Sequence, residues 1–106
     1  MKQVYELHAE VCKTLANPKR IEIINLLRSG EKSVAFLLEK TGLLKANLSQ
    51  HFSVMRQRGI VKARKEGLTV YYRIANPKIV RACDLMREVL FEQMREKGEV
   101  IKKWKR

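Results

Sequence analysis

The side chains with the widest chemical range in this chain are its thiols. Cys12 and Cys83 are the two cysteines, and no CxxC pair is present. A thiolate can act as a nucleophile, a redox group or a metal ligand, whereas two cysteines are too few for a disulfide scaffold. No Ser-His-Asp order and no glycine-rich phosphate loop accompanies them. The sequence therefore predicts that the protein is not an enzyme and has no cofactor, and it leaves the thiols as candidate sensor groups.

Three interpretations of the thiols stay open. Free cysteines are often small buried apolar residues, so both can be inert core side chains. They can instead form a redox or persulfide sensor, which requires their α-carbons to lie within about 7 Å of each other. A mixed metal site is the third interpretation, because His8 and Cys12 share one helical face at i and i+4, and Cys83 and Asp84 supply further ligands.

A second set of polar side chains follows Gly42. In the stretch LLKANLSQHFSVMRQRG, apolar residues at Leu48, Phe52 and Met55 form one helical stripe at i, i+4 and i+7. If this stripe points inward, the opposite face is small and polar. That face and its flanks contain Ala46, Asn47, Ser49, Gln50, Ser53, Val54 and Gln57. Side chains of this kind read base edges in the DNA major groove through hydrogen bonds.

The distribution of charge favours a nucleic-acid partner. The chain has a net charge of +12 and a pI of about 10.1. Between residues 43 and 75 the only acid is Glu66, and the basic residues are Lys45, Arg56, Arg58, Lys62, Arg64, Lys65 and Arg73. Phosphate attraction supplies most of non-specific DNA affinity. A basic membrane-surface protein would instead have a basic amphipathic helix with bulky apolar residues opposite, which is not the pattern here.

No membrane or secretion signal is expected. The sequence contains no apolar run long enough to span a bilayer, and its first residues, MKQVYELHAE, lack the apolar core of a signal peptide. We therefore predict a cytoplasmic protein with no membrane partner.

The elements that position the polar face are readable along the chain. Residues 1–16 form an amphipathic helix, and Asn17-Pro18 then begins a second, apolar helix that Gly30 closes. Residues 33–58 form a helix-turn-helix with its turn at Gly42. Leu44 stands where a capping side chain would be expected before the second helix of this pair.

Two β-type runs follow, 60–65 and 68–74, and they are joined at Glu66-Gly67. A hairpin over residues 60–74 after a helix-turn-helix is a wing. The predicted fold class is thus mostly α with a small β-hairpin, a winged helix-turn-helix in a single domain spanning 1–106. In chain order it has four helices, two strands and a fifth helix.

The fifth helix, 78–97, has an apolar surface too broad for one shallow contact. The residues that form this surface are Ile79, Ala82, Cys83, Leu85, Met86, Val89, Leu90 and Met94. Together with the helix at 1–16 it predicts a dimerisation surface, since a small head cannot cover both terminal helices. The alternative is simple packing of this helix on the winged domain.

Two long segments of the sequence are similar to a known family. CKTLANPKRIEIINLLRSGEKSV and LLKANLSQHFSVMRQRGIVKARKEGLTVYYRI closely resemble the ArsR/SmtB repressors. The resemblance implies a homodimer that pairs through its first and last helices. It also implies that the dimer binds double-stranded DNA at an inverted-repeat operator and leaves it when an inducer binds.

The resemblance also assigns DNA-binding positions. The start of the family's recognition helix corresponds to Lys45, Ala46, Asn47, Ser49, Gln50 and His51, and its wing to Arg64, Lys65, Glu66 and Gly67. Ser53 joins this set from the helical pattern. For His51 a phosphate contact and a structural role remain equally open.

The family's best-known inducer sites are missing from this sequence. Residues 31–37, EKSVAFL, lack the two cysteines of the arsenic-type motif ELCVCDL, and residues 79–94 lack the histidines of the zinc-type last helix. The second helix has Ile24-Asn25 where persulfide sensors have a cysteine. We therefore predict a repressor whose inducer is unknown, with Cys12 and Cys83 as candidate sensor. Alternatives are a metal-responsive repressor using His8, Cys12, Cys83 and Asp84, and a constitutive or architectural nucleic-acid-binding protein.

Overall fold

The computed structural model describes residues 2–98 and contains five helices and a small antiparallel sheet in that range. The elements, in chain order, are α1 (Lys2–Leu15), α2 (Pro18–Leu26), a 3₁₀ turn (Leu27–Ser29), β1 (Lys32–Ser33), α3 (Val34–Thr41), α4 (Lys45–Gln57), β2 (Val61–Glu66), β3 (Thr69–Ile74) and α5 (Lys78–Glu96). The basic tail at 99–106 lies outside the described residues. The predicted winged helix-turn-helix is confirmed.

The predicted strand boundaries need correction. The strands begin at Val61 and Thr69, one residue later than expected, and the tip of the hairpin is Gly67-Leu68. Gly67 has a φ of 59°, a left-handed conformation that glycine adopts without steric cost. The hairpin register pairs Val61 with Ile74 and Glu66 with Thr69.

A third strand was not predicted from the sequence. The two-residue strand β1 pairs antiparallel with β3 and gives the sheet the order β1-β3-β2. Ser33 pairs with Tyr71 in this ladder, and its hydroxyl also accepts a hydrogen bond of 3.1 Å from the Phe36 N–H. Ser33 thus ends β1 and caps α3, which ties the helix-turn-helix to the wing.

The core lies between α2, α3, α4 and the base of the wing. The buried apolar side chains are Ile23, Ile24, Leu27, Leu37, Leu48, Phe52, Met55, Ile60, Val61 and Tyr72. Asn17 accepts hydrogen bonds from the N–H groups of Lys19 and Arg20, so the predicted cap of α2 is confirmed. None of the residues of α5, Lys78–Glu96, is fully buried. Within residues 2–98, no helix is sufficiently long and apolar to span a bilayer.

Candidate nucleic-acid interface

Helix α4 has one buried face and one exposed polar face. Leu48, Phe52 and Met55 are each 1% exposed or less, as the stripe predicted. The exposed residues of α4 are Lys45, Ala46, Asn47, Ser49, Gln50, Ser53, Arg56 and Gln57. Every member of the predicted reading set on α4 except His51 is exposed, so these side chains are available to a ligand.

The turn before α4 is held by polar contacts. Gly42 closes α3 with a φ of 69°, and its N–H donates to the Leu38 carbonyl oxygen at 3.0 Å. The Thr41 hydroxyl donates to the Leu37 carbonyl at 2.7 Å, and Lys19 Nζ donates to the Thr41 carbonyl at 3.1 Å. Helix α4 then starts after Leu44, whose side chain cannot accept a hydrogen bond, as predicted. Hydrogen bonds within α3, together with the one from Lys19 of α2, therefore fix the angle between α3 and α4.

His51 makes a contact inside the protein. Its Nδ1 accepts a hydrogen bond of 3.1 Å from Arg20 Nε, and Arg20 Nη1 donates to the Thr14 carbonyl at 3.2 Å. Burial of the ring, and secondly the charge of Arg20, lower the pKa of His51 from its ordinary value of 6.5. The ring is therefore neutral near pH 7 and accepts from Arg20. This geometry supports a structural role for His51. Because Nδ1 already accepts a hydrogen bond from Arg20, it does not favour a phosphate contact.

The two wing residues predicted to contact DNA lie on opposite faces of the hairpin. Arg64 pairs across the ladder with Tyr71, and Lys65 pairs with Val70. Because side chains alternate along a strand, Lys65 shares the face of Val61 and Tyr72, which packs toward α4. Lys65 therefore extends the surface of α4, whereas Arg64 points to the other side of the wing.

Arg64 is already engaged by carboxylates. Its Nη2 donates to Glu31 at 2.7 Å and its Nη1 to Glu66 at 2.5 Å, while its guanidinium lies 4.6 Å from the centre of the Tyr71 ring. The hydrogen bond from Arg64 is the largest cause that lowers the pKa of Glu31, and the two carboxylates raise the pKa of Arg64. Sequence reasoning missed these contacts, and they make Arg64 a weaker candidate for a phosphate contact than Lys65.

The two thiols occupy different environments. Cys12 is exposed and Cys83 is half-buried, and both are free. The interpretation of both cysteines as inert core side chains is therefore wrong for Cys12 within one chain. Burial is the main cause that raises the pKa of the Cys83 thiol, which disfavours its reactive thiolate.

The residues proposed for a mixed metal site are not assembled in one chain. Asp84 accepts hydrogen bonds from Arg28 and from Arg87 Nη1, the latter at 3.0 Å. Within residues 2–98, no three His, Cys, Asp or Glu side chains form a group that could hold a metal ion. His8 and Cys12 on α1 are thus not joined by Cys83 and Asp84 on α5.

The terminal helices expose an apolar surface. The large apolar side chains exposed on α1 and α5 are Val4, Tyr5, Leu7, Leu85, Met86, Val89 and Leu90, with exposures from 45% to 73%. Packing of α5 on the winged domain therefore leaves most of its apolar width uncovered. Several large apolar side chains exposed on two helices of a small domain are typical of a protein-protein interface.

The helix-turn-helix and its hairpin define the class: a winged helix-turn-helix protein with an exposed recognition helix. Residues 17–63 match the family described as bacterial regulatory protein, arsR family. The crystal structure of Rv0081 from Mycobacterium tuberculosis has a TM-score of 0.82 and 41% identity, covering 90% of this chain and 96% of that one. The curated sequence of Rv0081, named an uncharacterized HTH-type transcriptional regulator, is 40% identical over 92% of this chain and 87% of its own length.

Two further relatives are informative. The winged helix-turn-helix domain of Mb0332 from Mycobacterium bovis, described as homodimeric, has a TM-score of 0.80 and 33% identity, covering 90% of this chain and 88% of that one. The biofilm growth-associated repressor of Agrobacterium fabrum is 37% identical over 74% of this chain and 67% of its own length. The chain belongs to the ArsR family of transcriptional regulators, whose members bind DNA.

Proposed function

We propose that this protein is a homodimeric repressor that binds an inverted-repeat DNA operator. The observation that carries the proposal is the exposed polar face of α4, backed by the buried stripe of Leu48, Phe52 and Met55. A helix anchored in this way presents its outer side chains to a major groove without losing its position in the core.

Asn47 and Gln50 are the residues that read bases in this proposal. Both are exposed on the first half of α4, and an amide side chain can form two hydrogen bonds to adenine. Lys45, Ser49 and Ser53 surround them and contact the backbone or base edges, and Lys65 supplies a phosphate contact from the wing.

The dimer forms through the exposed apolar side chains of α1 and α5. Leu7, Leu85 and Val89 are 57%, 62% and 45% exposed in one chain, so pairing would remove much apolar surface from water. The description of Mb0332 as homodimeric supports the same assembly here. A two-fold dimer presents two copies of α4, and this symmetry is the reason for an inverted-repeat operator.

The inducer acts through thiol chemistry in this proposal. The thiol of Cys12 is exposed in one chain, and Cys83 lies on the other dimerisation helix. Modification of either thiol would alter the packing of α1 and α5, and hence the spacing of the two recognition helices. A bias of a few kcal/mol between two spacings is enough to release DNA.

The decisive experiment is a gel shift on the DNA upstream of the protein's own coding sequence. Binding should survive excess random DNA, as sequence-specific binding does. Gln50→Ala and Asn47→Ala should each reduce the preference for operator over random DNA by about 1–3 kcal/mol. Gln93→Ala, at an exposed position of α5, is the matched control because it also removes an amide side chain. If wild type binds random DNA as tightly as every upstream fragment, the protein is an architectural DNA-binding protein and the proposal is wrong.

A further inference from the structure

A cleft of about 470 Å³ lies at the end of the wing away from the hairpin tip, beside Arg73 and Ile74. It is walled by the 3₁₀ turn after α2, by the end of β3 and by the first turns of α5. Its volume falls within the range of small-molecule sites in proteins. None of the residues assigned above to DNA reading lines it.

The floor of this cleft is apolar. The apolar side chains that line it are Leu27, Ile74, Pro77 and Val80. Leu27 is 2% exposed and belongs to the core, so the floor is supported by well-packed side chains. An alkyl or other apolar group resting here would leave water without disturbing the fold.

The rim of the cleft carries an excess of positive charge. Its two acids are neutralised, because Glu31 is bonded to Arg64 and Asp84 is bonded to Arg28. Arg73 and Arg81 also line the cleft, and within residues 2–98 neither guanidinium forms a hydrogen bond or ion pair with another side chain, although the charge of Arg73 helps to lower the pKa of Glu31. Both therefore keep hydrogen-bond donors for an anion.

We propose that the cleft binds a small amphipathic anion, a carboxylate with a short apolar body. Arg73 and Arg81 hold the carboxylate, since the planar guanidinium matches its two oxygens. The apolar body lies on Ile74 and Val80. A cation is disfavoured because the two acids are already paired, and a purely polar anion would leave the apolar floor in water.

The position of the cleft couples it to the proposed DNA-binding activity, and this part rests on the proposed function. Arg73 belongs to β3 of the wing, and Arg81 belongs to the dimerisation helix α5. An anion held by both links the wing to α5, the helix that sets the spacing of the two recognition helices in the proposed dimer. Bound ligand should therefore lower the affinity for the operator.

The test is calorimetric titration of the full chain with octanoate in the absence of DNA. Saturable binding with one site per chain is expected, with a Kd of about 1 mM or tighter. Arg73→Gln and Arg81→Gln should each weaken it about tenfold or more, because each removes a charge-assisted hydrogen bond. Arg95→Gln, at the far end of α5, is the matched control and should bind as wild type does. Octan-1-ol and octylammonium should not show this binding.

Equal binding of octan-1-ol, no saturation, or unchanged affinity in both arginine variants would overturn the site. Loss of DNA affinity in the two variants without any octanoate binding would also overturn it and assign the arginines to DNA phosphates instead. A second titration, of operator DNA with saturating octanoate, tests the coupling. Unchanged DNA affinity there overturns the coupling alone, and failure of wild type to bind any DNA overturns the proposed function alone.

Discussion

The rings of Phe52 and Tyr72 stack with their centroids 3.7 Å apart and their planes inclined by 9°. Phe52 comes from the recognition helix and Tyr72 from the middle strand of the sheet, so one buried contact fixes the wing against α4. The surface proposed to bind DNA is therefore a single packed unit, even though its two parts are joined through the loop after α4.

Removing this contact should destabilise the protein. Tyr72→Ala and Phe52→Ala should each lower the free energy of unfolding by about 3–5 kcal/mol, because a large buried ring is lost. Tyr72→Phe keeps the ring and is the control, with a much smaller expected effect. Urea denaturation measures each value. If Tyr72→Ala were as stable as Tyr72→Phe, the stacked pair would not be what holds the wing to α4.

His51 gives the protein a pH dependence with a definite sign. Because its pKa is lowered in the fold from the ordinary 6.5, the unfolded chain takes up this proton first as the pH falls. The contribution of His51 to the free energy of unfolding is thus fully present above about pH 6.5. It is lost as the pH falls toward the lower pKa of the folded state, by at most about 1.4 kcal/mol per pH unit. Denaturation at about pH 8 and about pH 5.5 measures the difference.

The control for this prediction is His51→Gln, which removes the titrating group and keeps an acceptor for Arg20. Its stability should change less between the two pH values than that of wild type. Equal pH dependence in the two proteins would mean that the contact between His51 and Arg20 is not the origin of the effect.

The two faces of the wing should respond differently to substitution. Lys65→Ala should weaken binding to all DNA sequences and reduce the salt slope of log K by about one contact. Arg64→Ala should have a smaller effect on the slope, because Glu31 and Glu66 already balance its charge. Glu31→Gln should raise non-specific DNA affinity, because it removes one of the two carboxylates that balance the charge of Arg64. Fluorescence anisotropy at several salt concentrations provides the slopes, and an equal loss in Lys65→Ala and Arg64→Ala would contradict this division of the wing.

A charge placed on the exposed apolar face of α5 should separate the dimer. Val89→Glu puts a carboxylate where the partner chain is expected, and an unpaired charge is costly to remove from water. Sedimentation should show a dimer for wild type and a monomer for Val89→Glu, with weaker operator binding in the variant. Ala35→Glu, at an exposed position of α3, is the control and should remain dimeric. A wild-type protein that is monomeric at micromolar concentration would disprove the assembly.

The two cysteines should differ in their reactivity toward thiol reagents. Cys12 is exposed, whereas burial raises the pKa of Cys83, so a thiol reagent should modify Cys12 first. Gel shifts of wild type, Cys12→Ser and Cys83→Ser under diamide or polysulfide then test their role, and Cys12→Ser should lose most of the response. Identical responses in all three proteins would exclude a sensor built on these thiols.

Much of the fold could be predicted because its signals are local. The period of Leu48, Phe52 and Met55 identifies the buried face of α4, and Asn17-Pro18 identifies the start of α2 within a few residues of sequence. The contacts that sequence reasoning missed join distant residues. Arg64 meets Glu31 across 33 positions and Arg20 meets His51 across 31. No periodic pattern contains such pairs, because they arise only when the elements have packed.

Strand β1 was missed for another reason. Two residues, Lys32 and Ser33, are too short to show an alternating pattern, and their strand conformation comes from pairing with Tyr72 and Tyr71. The exposure of Cys12 was also not predictable, since free cysteine is among the most buried residue types. Tertiary contacts thus decide the conformation of β1, and the absence of such contacts on α1 decides the exposure of Cys12.

Because the side chains of Arg64 and Lys65 alternate between the faces of β2, an inserted residue should be tolerated at the hairpin tip but not within this strand. At the tip, Leu68 is fully exposed, so extra residues there would leave both strands in register. A single residue inserted within β2 before Arg64 would shift every later side chain of that strand to the opposite face. Lys65 would then turn toward Glu31 and Arg64 toward the DNA side, so one insertion would exchange the two basic residues without changing either.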